Sequence, residues 1–208
     1  MEIPLATRAQ PHTCELVIKR SRFLAQASYV ADLADGRAFV EEVRSLHPDA
    51  THNCWACVGG ASGDTGHAAS SDDGEPRGTA GRPMLTILLH SGIGHVCLVV
   101  TRWFGGIKLG TGGLVRAYQD AVRENLAGLA TREYCPMQTL RVTISYAAHP
   151  LCTRLFAAHS VTVLSEEFGE SITLHLRLPI VCAEPFVAAV TAATKGSCVI
   201  VRESCTEI

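Results

Sequence analysis

The sequence predicts an α+β protein of two domains, and three observations carry that expectation. The last 70 or so residues read as strand, helix, strand, strand, helix, strand. That order is the ferredoxin-like βαββαβ unit. A Pro-containing segment, "TREYCPMQ" (131–138), separates it from a longer mixed region, so the expected domains are 1–134 and 137–208. With 208 residues and 18% charged side chains, either part is large and apolar enough to bury a core rather than stay disordered.

In chain order, "TCELVIKRS" (13–21) and "RFLAQASYV" (22–30) read as strands. "DGRAFVEEVRSLHP" (35–48) reads as a helix with Asp35 as its cap and Phe39, Val43 and Leu46 on its buried face. "DATHNCWACVGG" (49–60) is a strand ending in glycines, and 61–82 a long polar loop. "RPMLTILLHSG" (82–92) opens on Pro83 and is read as a short buried helix. "GHVCLVVTRWF" (94–104) is a buried strand, and "GTGGLVRAYQDAVRENLAGLA" (110–130) a long amphipathic helix. Its core face is Leu114, Val115, Tyr118, Val122, Leu126 and Leu129. In the second domain, strands 139–146, 161–168, 171–179 and 197–204 alternate with helices 150–160 and 183–196. Leu151, Leu155, Phe156 and His159 share one face of the first helix. Pro185 is placed in the first turn of the second and Gly196 at its end.

Net charge is −2 and the sequence pI about 6.5, so no global field draws the chain to nucleic acid or to an anionic membrane. Contact with RNA must come from a local patch, and no DNA-specific motif is present. There is no signal-like N-terminus and no run of the ~20 apolar residues a membrane helix needs. Nine cysteines, odd in number and irregularly spaced, are read as reduced thiols. The expected location is the cytoplasm, with no membrane partner.

Two stretches stand out. "SSDDGEPRGTAGRP" (70–83) has no large apolar side chain but holds Asp72, Asp73, Glu75, Arg77 and Arg82. It is neither repetitive nor uniform, as a plain linker would be. Its carboxylates are expected to meet Arg77, Arg82 or Arg102 and pin the loop. "TRWFGGIKLGTGGLVR" (101–116) runs from a strand through five glycines into a helix, with Arg102, Lys108 and Arg116 and no acid. A helix N-terminus approached by flexible backbone is a place for an anion. The P-loop and dinucleotide patterns fail: Thr111 stands where the P-loop lysine belongs, and Val115 where the third glycine belongs. The plainer alternative is a turn that packs strand on helix.

The candidate ligand-binding residues are therefore His52, Asp72, Asp73, Glu75, Arg102, Gly105, Gly106, Lys108, Gly110, Gly112, Gly113 and Arg116. No catalytic residue, metal ligand or cofactor is expected. Cys54 and Cys57 form a C-x-x-C, but in a strand their side chains face opposite ways, against a zinc pair. His52 and Cys54 share a face, so a Cys–His nucleophile oriented by Asp72 or Asp73 is the enzymatic alternative, acting on a small phosphorylated or peptide-like substrate. A third reading uses the second domain's sheet as a protein-interaction module.

"SRF" (21–23), "HNCWACVGG" (52–60), "SDDGEPRGTAGRPML" (71–85) and "VVTRWFGGIKLGTGGLVRAYQDAV" (99–122) together resemble the YigZ/IMPACT family over the first ~130 residues. The family usually has Tyr where Trp103 stands. The second domain is similar to that of bacterial members, which resembles a domain of translation elongation factor G. The resemblance implies a first domain of the ribosomal protein S5 domain 2-like class, with relatives among RNA-binding proteins. It implies association with translation, through RNA, the ribosome or a translation factor. Eukaryotic members regulate a translation kinase with an extra N-terminal RWD domain; strand 13–21 begins too early for one here, so that role is not expected to transfer.

Overall fold

A computed structural model of the chain describes residues 1–203. The chain is α+β and divides into two units, Met1–Tyr134 and the residues from Cys135 on.

The first unit contains β1 (Glu2–Pro4), β2 (His12–Ile18), β3 (Ser21–Tyr29), α1 (Leu33–Leu46), β4 (His52–Val58), β5 (Ala68–Ser71), α2 (Gly81–Leu89), β6 (Val96–Trp103), α3 (Thr111–Gly128) and β7 (Thr131–Glu133). Five strands form one sheet in the order β2-β3-β6-β4-β5, every neighbour antiparallel. Both faces are covered. Phe23, Ala25, Cys54, Ala56, Leu98 and Val100 pack under Met84 and Leu88 of α2 and Leu114, Tyr118 and Val122 of α3. Cys57, Cys97 and Val99 pack under Phe39, Val40 and Val43 of α1. Cover on both sides is why β6, "VCLVVTRW", reads as an almost unbroken apolar run instead of alternating. Cys54 and Cys57 lie in opposite cores, as the strand period requires.

Several local expectations are corrected. Helix α1 begins two residues before Asp35, and its cap is Asp32, whose carboxylate accepts the Asp35 N–H at 2.8 Å. Asp35 accepts from Arg8 instead, and Leu46, in the last turn, is 70% exposed. The loop at 61–82 contains β5, a four-residue strand on β4. The segment 131–138 is not bare linker: β7 pairs antiparallel with β1.

The second unit contains β8 (Met137–Ile144), α4 (His149–Phe156), β9 (Thr162–Phe168), β10 (Ile172–Pro179), α5 (Ile180–Ala193) and β11 (Val199–Glu203). The order β11-β8-β10-β9, all antiparallel, is the split βαβ arrangement of the ferredoxin-like unit. One face is packed: Leu140, Val142, Ile144, Leu174 and Leu176 lie against Cys152, Phe186 and Val190. On α4, Leu155 and Phe156 pack on this core and the following His159 lies against Phe186 as expected, but Leu151 is exposed and Cys152 is buried in its place. Helix α5 starts at Ile180, which puts Pro185 inside it, where it removes one i→i−4 bond. Ser204, expected to end the last strand, lies outside the described residues.

Candidate functional site

The acidic loop is built by its own carboxylates. Asp72 Oδ1 accepts the N–H groups of Ala80 and Gly81 at 3.0 and 2.9 Å, and Oδ2 that of Gly78 at 2.7 Å. Asp72 thus caps the start of α2 from nine residues upstream, where Ala80 has no side chain to do so. Burial pushes its carboxyl up, but the three N–H donors and nearby Arg77 outweigh this, leaving it below the usual aspartate value. Asp73 accepts the Asn53 N–H at 2.6 Å and pairs with Arg44 of α1 at 3.0 Å. The expected partners Arg77 and Arg82 form no ion pair among the described residues. Only Glu75 meets a predicted arginine.

That pair is buried. In the sheet register Phe23, Arg102 and His52 are neighbours on β3, β6 and β4, in one row facing α2 and α3. Arg102 alternates with Leu98 and Val100 on this inner face, so its guanidinium points into the core. Arg102 Nη1 donates to Glu75 Oε1 at 2.5 Å, with side chains 6% and 3% exposed. Nη2 donates to Ser21 Oγ at 3.3 Å, and the guanidinium carbon lies 5.4 and 5.7 Å from the Phe23 and Phe104 ring centroids. The Tyr118 hydroxyl donates to the same Glu75 oxygen at 2.9 Å. Burial first, then Cys54 and the Glu75 carboxylate, drive the Tyr118 pKa far up, so it stays a donor.

Cys54 Sγ lies 2.9 Å from the Asp72 carbonyl oxygen and 3.3 Å from the Tyr118 hydroxyl. Burial pushes this thiol far above its ordinary value, against a smaller opposite pull from Tyr118. His52 does not touch it: Nδ1 lies 2.8 Å from the Asp73 carbonyl oxygen, and Nε2 is 3.9 Å from Glu75 Oε2.

The glycine-rich turn closes over this cluster. A Cβ on Gly105 would lie 1.9 Å from the Arg20 carbonyl oxygen, so only glycine lets the turn cross the β2–β3 hairpin. Gly105 N–H donates to Ser21 Oγ at 3.2 Å. Gly110 caps α3 at φ +73° with no side-chain bond, so the first N–H groups of an 18-residue helix have no capping side chain. A pocket of about 440 Å³ opens there, lined by His52, Glu75, Arg102, Phe104, Lys108, Gly110 and Thr111 among others. Lys108 is exposed and has no ion pair among the described residues.

The structure therefore brings His52, Glu75, Arg102, Lys108 and Gly110 to one pocket. Asp72 and Asp73 are outside its lining and are occupied in holding the loop. Gly105, Gly106, Gly112 and Gly113 belong to the surrounding turn and first helical turn, and Arg116 is exposed on α3 outside the lining. Sequence reasoning missed three contributors. Tyr118 sits on the apolar face of α3, and its hydroxyl partner is 43 positions away. Lys19 and Arg20, both exposed with positive φ, form the hairpin tip that the turn crosses. The run "IKRSRF" was their signal. No group of three His, Cys, Asp or Glu among the described residues is placed to hold a metal. No helix among them is long and apolar enough to cross a membrane.

A doubly covered sheet with a buried Arg–Glu–Tyr cluster beneath a glycine-rich helix start defines a domain that comparison recognises: residues 19–126 match the Impact N-terminal domain, and residues 142–197 match DUF1949, a domain of unknown function. The chain belongs to the IMPACT family. It is 38% identical to the IMPACT family member YigZ of Escherichia coli, over 91% of this chain and 93% of that protein. It is 42% identical to YvyE of Bacillus subtilis over 64% and 60% of the two chains. A crystal structure of a hypothetical protein matches with TM-score 0.68 at 36% identity, covering 98% of this chain and 97% of that one.

Proposed function

We propose that this chain is a translation-associated binding protein whose first domain holds RNA through a backbone phosphate at the start of α3. The observation that carries this reading is the pocket itself. The uncapped N-terminus of an 18-residue helix meets unpaired Lys108 there. Both favour an anion, and flexible glycines let it approach the backbone. Exposed Lys19 and Arg20 at the neighbouring hairpin tip extend the positive charge. Arg102 is not part of that surface, because its charge is taken by Glu75.

The Cys–His enzymatic version draws no support from this geometry. Cys54 is a buried thiol held protonated, and His52 is bonded to a carbonyl rather than to sulfur. The deciding measurement is binding of single-stranded RNA and of ribosomal subunits at low and moderate salt. Affinity should fall steeply with salt. Replacing Lys108 and Arg20 by Gln should lower the log K against log salt slope by about 0.7 for each phosphate no longer neutralised. No binding at low salt overturns the reading.

A further inference from the structure

Two thiols face each other across the sheet of the first unit. Cys57 of β4 and Cys97 of β6 are direct partners in the ladder. No other two cysteines are so matched among the described residues. Nearby hydrogen bonds fix the kind of pair. Gly59 N–H donates to the His67 carbonyl, so by alternation Cys57 turns its backbone groups toward β5. Val30 N–H donates to the His95 carbonyl, so Cys97 turns its backbone groups toward β3. Across β4 and β6 the two are therefore a non-hydrogen-bonded pair, the closer kind, with Cα atoms about 4.5 Å apart. A disulfide needs Cα atoms about 4.4–6.8 Å apart. The side chains converge as well. Both are fully buried beneath Phe39, Val40 and Val43 of α1. The helix crosses them at Gly36, where a Cβ would lie 2.5 Å from Cys57 Sγ and 3.8 Å from Cys97 Cβ. Cys97 Sγ is 3.6 Å from the Gly36 carbonyl oxygen. One niche under one helical residue holds both sulfurs. The adjacent Cys57 thiol, then burial, push the Cys97 pKa well up, so Cys97 is unreactive while α1 is docked.

We infer that Cys57 and Cys97 are a reversible disulfide site, closed by exchange with a small-molecule disulfide such as oxidised glutathione when α1 lifts by local opening. One cysteine gives its proton to solvent, its sulfur attacks a glutathione sulfur, and the first glutathione thiolate leaves. The second cysteine, likewise deprotonated, attacks the protein sulfur of that mixed disulfide, and the second glutathione thiolate leaves. The two released protons return to the two glutathione thiolates. Two cysteine thiols are thus oxidised and one disulfide is reduced to two thiols. The Cα separation is at the short end of the usual range, so the bond is strained and readily reduced again. It joins the strand that carries His52 to the strand that carries Arg102, so the thiol–disulfide balance sets how firmly the frame of the pocket is tied.

Thiol mapping by mass spectrometry tests this on the full wild-type chain. The folded protein is equilibrated with mixtures of reduced and oxidised glutathione, its fold checked by circular dichroism. Remaining thiols are blocked with N-ethylmaleimide in urea, and the chain is digested unreduced with chymotrypsin, which cuts after Trp55 and separates Cys54 from Cys57. Oxidising mixtures should give the Cys57 peptide joined to the Cys97 peptide, and dithiothreitol should release both. Cys54 is as deeply buried but faces Val100 in the opposite core, so it should carry the maleimide throughout. Val43→Ala, which loosens α1, should speed closure about tenfold or more. Sub-denaturing urea should speed it in the wild type, which needs no variant. Maleimide on both Cys57 and Cys97 after oxidation of the folded chain overturns the inference. So does Cys54 in the joined peptide, or a joined peptide that forms as readily in the urea-unfolded chain. A rate indifferent to both Val43→Ala and mild urea overturns α1 as the gate.

Discussion

On the five-stranded sheet, Arg102 and Glu75 meet at 2.5 Å with side chains 6% and 3% exposed. On the four-stranded sheet, Arg141 and Glu203 approach only to 3.7 Å with 49% and 36% exposed. There His175 sits 3.9 Å from both Glu167 and Glu203, again at the surface. The difference follows from layering. Helices cover both faces of the first sheet, so an inward-facing charge must be matched there by fixed partners. Helices cover one face of the second, so its outward row of Arg141, His175 and Arg177 is solvated and its pairs are loose. Where water is excluded, charges define a site; where water remains, they decorate a surface.

The sharpest way to break this contrast is to remove one partner of the buried pair. Arg102→Ala leaves Glu75 uncompensated and should cost about 3–5 kcal/mol. Urea unfolding followed by tryptophan fluorescence measures it cleanly, because the chain's two tryptophans, Trp55 and Trp103, both lie in the first unit. A loss under about 1 kcal/mol would mean the pair is wet. Next comes Gly105→Ala, which forces the turn off the Arg20 carbonyl. It should cost about 2 kcal/mol or more by the same measurement and weaken RNA binding in parallel.

The acid limb gives a third, smaller effect. The Asp72 carboxyl titrates below its ordinary value in the folded chain. Its contribution is therefore complete above the usual aspartate range, about pH 4, and is lost as pH falls toward the lowered value. Asp72→Asn should flatten the loss of stability below about pH 4 and lower stability at about pH 7 by about 1 kcal/mol, as loss of a helix cap does. Smallest of all, Arg141→Ala on the open face should change stability by under about 0.5 kcal/mol, read by circular dichroism.

Much of the architecture was legible because it follows from period. The βαββαβ order, the opposed faces of Cys54 and Cys57 and the long α3 all came from alternation or helical spacing. What escaped was short or depended on pairing across the chain. β5, "AASS", lacks the β-branched residues that mark a strand, and β1 and β7 have three residues each. Of the loop's ion pairs, Glu75–Arg102 was within the expected set and Asp73–Arg44 was not. Arg44, the partner of Asp73, is 29 positions away on α1, so local charge pointed to the wrong arginines. Arg102 looked like a surface charge beside Lys108. Its parity with Leu98 and Val100 was the sign that it faces inward.

The shortest ladder among the described residues constrains how the domain is made. Ile3 of β1 stands opposite Arg132 of β7, and the Tyr134 N–H donates to the Met1 carbonyl at 2.8 Å. Translation delivers these two strands at opposite ends of the domain. A nascent chain therefore carries β1 with only the single bridge of Glu2 to Ile93 until the codons for 131–133 have been read and their residues released. Any truncation ending before Thr131 inherits the same open seam. An expression fragment meant to isolate the first domain should run through Tyr134.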